Sequence, residues 1–179
     1  ASHHNVIRNN LIYCGRRDYS YGIYLDDEEI DTSVEDNIVL ECPKLAAAEP
    51  QKGAAFLLHD NPRNTVRNNI FADSSRLFRF PNSYGGHTIV RNLFVFGKRS
   101  LFDETRDPAA VPGPGDGRRQ VDWDAGASIM DYNLYWTMGD RAELDTVLER
   151  WRKRGWDRNS VVADPQLRLD DPLHLDALV

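Results

Sequence analysis

The stretch TVRNNIFA, residues 65–72, is a short run of strand-forming residues broken by asparagine and then resumed. The same phrase returns as VIRNNLIY at 6–13, SVEDNIVL at 33–40, TIVRNLFV at 88–95 and SIMDYNLYW at 128–136. Its asparagines are Asn10, Asn37, Asn69, Asn92 and Asn133, spaced by 27, 32, 23 and 41 residues. A constant phrase at unequal spacing is the signature of a solenoid, because each coil must repeat its strands but is free to lengthen its turns. Asparagine suits the corner of such a coil: it tolerates the left-handed backbone conformation, and its amide can bond to the asparagine above and below. Five stacked asparagines predict a ladder.

Between these phrases lies a second set of strands: YGIYLDD at 21–27, AAFLLHD at 54–60, RLFRFPN at 76–82 and SLFDET at 100–105. Each coil therefore has at least two strands, with apolar residues turned to a central core and alternate residues turned outward. The chain resembles the right-handed parallel β-helix, specifically the parallel β-helix repeat proteins that include glycoside hydrolases and polysaccharide lyases. The expected fold is thus all-β, a parallel β-helix solenoid with a short C-terminal capping helix. The resemblance spans about residues 3–176. It extends to MDYNLYW, GWDRNSVVADPQL and DDPLHLD, which look like the closing coil of glycan-directed members. It implies a secreted or periplasmic protein, of which this chain is a C-terminal fragment whose remaining N-terminal coils belong to the same longer chain.

The division expected along the chain is coils over about 3–137, an inserted loop at 106–120 rich in Pro and Gly, a capping helix at about 141–154 and a closing coil at 156–176. Asp140 and Glu143 have capping-box spacing, Leu144, Val147, Leu148 and Trp151 form one apolar stripe, and Gly155 can end the helix. An amphipathic helix is a standard cover for the open end of a solenoid. Cys14 and Cys42 have no metal-type spacing. They follow their asparagines by four and five residues on adjacent coils, which leaves two buried thiols or one bridge open.

A formal charge of -6, from 22 Lys and Arg against 28 Asp and Glu, gives no electrostatic reason to seek nucleic acid. No apolar run approaches the length of a membrane helix, so no membrane partner is expected.

The candidate site lies where YGIYLDDEE turns from strand to carboxylates. Aligning IYLDD with FLLHD puts Ile23 over Phe56, Leu25 over Leu58, Asp26 over His59 and Asp27 over Asp60. Arg79 and Asp103 follow near the same column. Carboxylates, an imidazole, a guanidinium and a tyrosine on one surface are the inventory of a sugar-binding cleft. Two carboxyl groups separated by about 5–9.5 Å can cleave a glycosidic bond. The expected catalytic residues are Asp26, Asp27 and Asp60, and the expected substrate-binding residues are Tyr24, His59, Arg79 and Asp103. In the resembled hydrolases an acidic residue at such a strand end commonly belongs to the active site. The expected function is therefore a glycoside hydrolase acting on a carbohydrate, with no metal. A polysaccharide lyase is the alternative, with Ca2+ as a possible cofactor held by Asp26, Asp27, Glu28 and Asp31; a non-catalytic carbohydrate-binding or structural β-helix is the other. Against a site stands the plain reading that DDEEID is a solvated corner. His3 and His4 read equally as a tag remnant or as the strand before a coil.

Overall fold

The computed structural model describes residues 2–13, 21–26, 29–40, 54–59, 61–74, 78–79, 86–97, 128–153 and 155–167. Their strands are β1 (Ser2–His3), β2 (Val6–Arg8), β3 (Leu11–Tyr13), β4 (Tyr21–Leu25), β5 (Glu29–Ile30), β6 (Ser33–Glu35), β7 (Ile38–Leu40), β8 (Ala54–Leu58), β9 (Thr65–Arg67), β10 (Ile70–Ser74), β11 (Phe78–Arg79), β12 (Thr88–Val90), β13 (Leu93–Phe96), β14 (Ile129–Asp131), β15 (Leu134–Thr137) and β16 (Val161–Val162), with helix α1 (Arg141–Lys153) before the last. Every pairing is parallel and joins one coil to the next.

The asparagine phrase builds two of the three main sheets. Its first half supplies β2, β6, β9, β12 and β14, and its second half supplies β3, β7, β10, β13 and β15, with β16 added at the end. The third sheet, β4, β8 and β11, comes from the second set of strands. The fold is a parallel β-helix.

The ladder holds, but the left-handed backbone sits elsewhere than expected. Asn9, Asp36, Asn68, Arg91 and Tyr132, each just before a ladder asparagine, have φ of 56–57°. Asn and Asp, which favour this conformation, fill three of the five places, and Arg91 and Tyr132 hold it where the stacked coils require the same corner. The asparagine after it turns inward. Asn10, Asn37, Asn69 and Asn92 each donate through Nδ2 to Oδ1 of the next asparagine at 2.9–3.2 Å, and their backbone N–H groups reach the same oxygen at 2.9–3.1 Å. From Asn37 onward the Nδ2 also donates to a carbonyl of the preceding coil, Ile7, Val34, Val66 and Ile89 in turn. Corner backbone groups that strands cannot pair are satisfied this way, as burial requires.

A second polar column lies five residues ahead of each ladder asparagine: Asn5, Thr32, Asn64, His87 and Ser128. Asn64 Oδ1 accepts from Thr32 N–H at 2.8 Å, His87 Nδ1 from Asn64 N–H at 3.1 Å, and Ser128 Oγ from His87 N–H at 3.2 Å. His87 is fully buried, and that burial pushes its imidazole down to about 4 despite backbone hydrogen bonds at Asn64 and Asn61, so it is neutral.

Inside, Val34, Val39, Phe56, Phe71, Phe94 and Tyr135 are among the residues shut off from solvent. Phe71, Phe94 and Tyr135 stack on successive coils, with centroids 5.5 and 5.2 Å apart. The outer face of the second sheet is apolar as well: Leu40, Ala72 and Val95 are buried with Ile38, Ile70, Leu93, Trp136 and Leu167 against them. A parallel sheet covered on both faces loses the inward-outward alternation read from the sequence.

Helix α1 closes the C-terminal end. Asp140 Oδ1 accepts from Ala142 N–H at 2.8 Å as its N-cap. Gly155, at φ 94°, ends it in a Schellman motif, with Gly155 N–H donating to Arg152 O and Trp156 N–H to Trp151 O, both at 3.0 Å. Leu144, Val147 and Leu148 are buried, and Trp151 meets Tyr135 edge-on at 6.0 Å. The ladder finishes beneath this cap on Asp157, which accepts from Asn133 Nδ2, Tyr135 OH and Ser160 Oγ. Burial pushes the Asp157 carboxyl above the usual carboxylate range. The inserted loop at 106–120, Cys14 and Cys42 lie outside the described residues.

Candidate functional site

On the third sheet the register read from the sequence is the observed one, with Ile23 beside Phe56, Tyr24 beside Leu57 and Leu25 beside Leu58. The pairing runs one step past the strand, where His59 N–H donates to Leu25 O at 2.9 Å. That step brings Asp26 and His59 together: His59 Nδ1 lies 3.1 Å from Asp26 Oδ1. Tyr24 OH donates to the same oxygen at 2.8 Å, as two residues on one strand face can. Tyr24 is edge-on to His59 at 6.2 Å and tilted on Tyr21 at 5.2 Å. Backbone bonds fix the turn beneath, with Asn61 Nδ2 donating to Leu25 O at 2.8 Å and Glu29 N–H to Asp26 O at 3.2 Å. The Asp26 side chain is 63% exposed and that of His59 29%, so the cluster lies on the surface.

Arg79 is not in that column. It pairs with Leu57, and so stands in the row of Tyr24, two residues short of His59. In this register Phe78 stands beside Phe56. Asp27, Asp60 and Asp103 lie outside the described residues. Of the expected catalytic carboxylates Asp26 is the one described, and its neighbour is an imidazole.

A second cluster escaped the sequence reading. Six residues ahead of the ladder asparagines stand His4, Asp31, Arg63 and Gly86, all left-handed at φ 54–72°. This corner carries exposed groups in a column. Arg63 donates through Nε and Nη2 to the two oxygens of Asp31, both at 2.9 Å, and that contact holds the Asp31 carboxyl below its usual range. His4 is the next position along, and its Nδ1 lies 2.8 Å from Nδ1 of His3. Asn5 Nδ2 donates to Ser2 Oγ at 2.6 Å and to Glu29 Oε2 at 2.9 Å, while His4 N–H donates to Ile30 O at 3.1 Å. The constant offset from the ladder asparagine was the signal available for this corner. Among the described residues no three His, Cys, Asp or Glu side chains gather as a ligand set.

Residues 1–109 match the family model described as periplasmic copper-binding protein (NosD). No curated protein and no solved structure matches the chain. The assignment overturns the glycoside-hydrolase expectation, and with it a carbohydrate partner. The resemblance rested on the asparagine phrases, and those encode coil corners and a ladder, which belong to the fold and not to an activity. The expected secreted or periplasmic location agrees with a family described as periplasmic. The match covers more than half of the chain, and the chain belongs to the NosD family.

Proposed function

We propose, from membership of this family, that the chain is part of a periplasmic β-helix that carries copper as cargo on its solenoid surface. The family match is the observation that supports this reading. The donor set fits a carried ion better than a resident one. Copper favours imidazole nitrogen, and a resident site needs several convergent ligands. The described imidazoles are His3, His4, His59 and His87. His87 is neutral but locked into the second polar column, its Nδ1 taken by Asn64 N–H. His3 and His4 lie exposed on the surface. Exposed donors bind an ion that solvent also ligates, and such an ion can be handed on.

The Tyr24, Asp26 and His59 cluster, with Tyr21, has a different part in this reading. It is the face on which a partner that gives or takes the ion docks, since tyrosines with adjacent hydrogen-bonding groups are common at interface centres.

Equilibrium dialysis of the purified chain against copper, with zinc and calcium as comparison ions, tests the cargo reading. Retention of about one copper per chain, above zinc and without calcium, supports it. Failure to retain copper refutes it.

A further inference from the structure

Consecutive residues of a strand point to opposite faces, so a His-His pair in an ordinary strand cannot bring its rings together. His3 and His4 do so because the chain turns at His4. Its φ of 59° belongs to the left-handed column that continues through Asp31 and Arg63, and it swings the second imidazole back beside the first. The two rings are T-shaped, with centroids 5.0 Å apart, and Nδ1 faces Nδ1 at 2.8 Å. The corner is held by the strand pairing of Ser2 with Glu29 and His3 with Ile30, and by the two hydrogen bonds of the Asn5 amide.

That spacing has a chemical meaning. In a tetragonal copper(II) site with metal–nitrogen bonds of imidazole length, about 2.0–2.1 Å, two neighbouring ligand atoms lie about 2.8–3.0 Å apart. We propose that His3 and His4 form a two-imidazole copper(II) site, their Nδ1 atoms taking adjacent ligand positions and water taking the others. This deepens the cargo reading above and rests on it. Without copper, one Nδ1–H donates to the other Nδ1. On binding, that ring shifts its proton to Nε2 through solvent, and both Nδ1 lone pairs go to the ion. Asp31 at the same corner is engaged through both oxygens by Arg63, so this ion pair adds no net charge and supplies no ligand. A site with two protein donors and exchangeable water suits loading and unloading better than storage.

The test is a copper(II) titration in competition with a weak chelator, on the chain with its α-amine acetylated. Acetylation matters because a free amine, two amides and an imidazole on the third residue make a copper chelate of their own. The chain is compared with His3→Ala, His4→Ala and the double variant, each checked for the parent's circular dichroism. Loss of at least tenfold in affinity in each single variant, and of the site in the double variant, is the expected result. Copper binding at parental affinity in the double variant, or its loss in His59→Ala instead, overturns the site and leaves the cargo reading standing. Absence of binding in the acetylated parent overturns both.

Discussion

Replacing Asn69 by alanine removes the middle rung of the ladder. Its Oδ1 accepts from Asn37 N–H at 3.0 Å and from Asn37 Nδ2 at 2.9 Å, and its Nδ2 donates to Val34 O, Arg67 O and Asn92 Oδ1 at 2.9–3.0 Å. Asn37 is fully buried, so its backbone N–H is left without an acceptor and out of reach of water. An orphaned buried polar group costs about 1–3 kcal/mol, and the weakened carbonyls of Val34 and Arg67 add to it, for a total of about 2–5 kcal/mol. Asn10→Ala is the internal control. Asn10 is exposed, and its Nδ2 donates to Arg8 O and Asn37 Oδ1, groups that keep water or the backbone N–H of residue 10 after the change. Its loss is therefore under about 1 kcal/mol. Urea unfolding followed by circular dichroism measures both, with a comparison of midpoints valid where the m-value is unchanged. If Asn69→Ala and Asn10→Ala fall within about 0.5 kcal/mol of each other, the ladder is not what satisfies the corners and the reasoning fails.

His87 binds its proton more weakly in the fold than in the open chain, so its contribution is fully present above about pH 6.5 and is lost as pH falls toward about 4, by about 3 kcal/mol in all. His87→Asn should flatten the thermal-stability profile across that window; an unchanged profile contradicts the assignment. Asp157 has the opposite sign. With its carboxyl raised by burial, it favours the fold at acid pH and weakens it as pH rises above the ordinary carboxylate range. The melting temperature of Asp157→Asn relative to the parent should therefore climb from pH 4 to pH 7, and a falling difference would refute it. Leu148→Ala empties a fully buried position under the cap and should cost about 2–5 kcal/mol, read in urea, whereas Glu149→Ala on the exposed side should cost under about 0.5 kcal/mol.

Much of this fold was legible because stacking converts sequence repetition directly into space. The asparagine phrase marked five coils, the alignment of IYLDD with FLLHD placed Asp26 beside His59, and the Leu144–Trp151 stripe marked the cap. The phrase holds two strands around its corner, which with the second set makes three main sheets, within the expectation of at least two strands per coil. What escaped depended on relations that a repeat phrase does not carry. The left-handed residue precedes the asparagine, and Arg91 and Tyr132 in that role give no compositional hint. Strand β11 is two residues long, too short for its apolar pattern to fix where Arg79 falls. The polar column of Thr32, Asn64 and His87 is visible only once the offset from the ladder is known. Function was the least legible, because the asparagines that carried the resemblance serve the scaffold. His3 and His4 looked like an incidental pair until the corner folded them together.

Electron paramagnetic resonance of the acetylated chain loaded with one equivalent of copper(II) addresses the central claim most directly. A single tetragonal signal with hyperfine structure from two imidazole nitrogens is expected, with that nitrogen structure lost in the His3→Ala, His4→Ala double variant. A spectrum of free aqueous copper, or a nitrogen pattern that survives in the double variant, would contradict it.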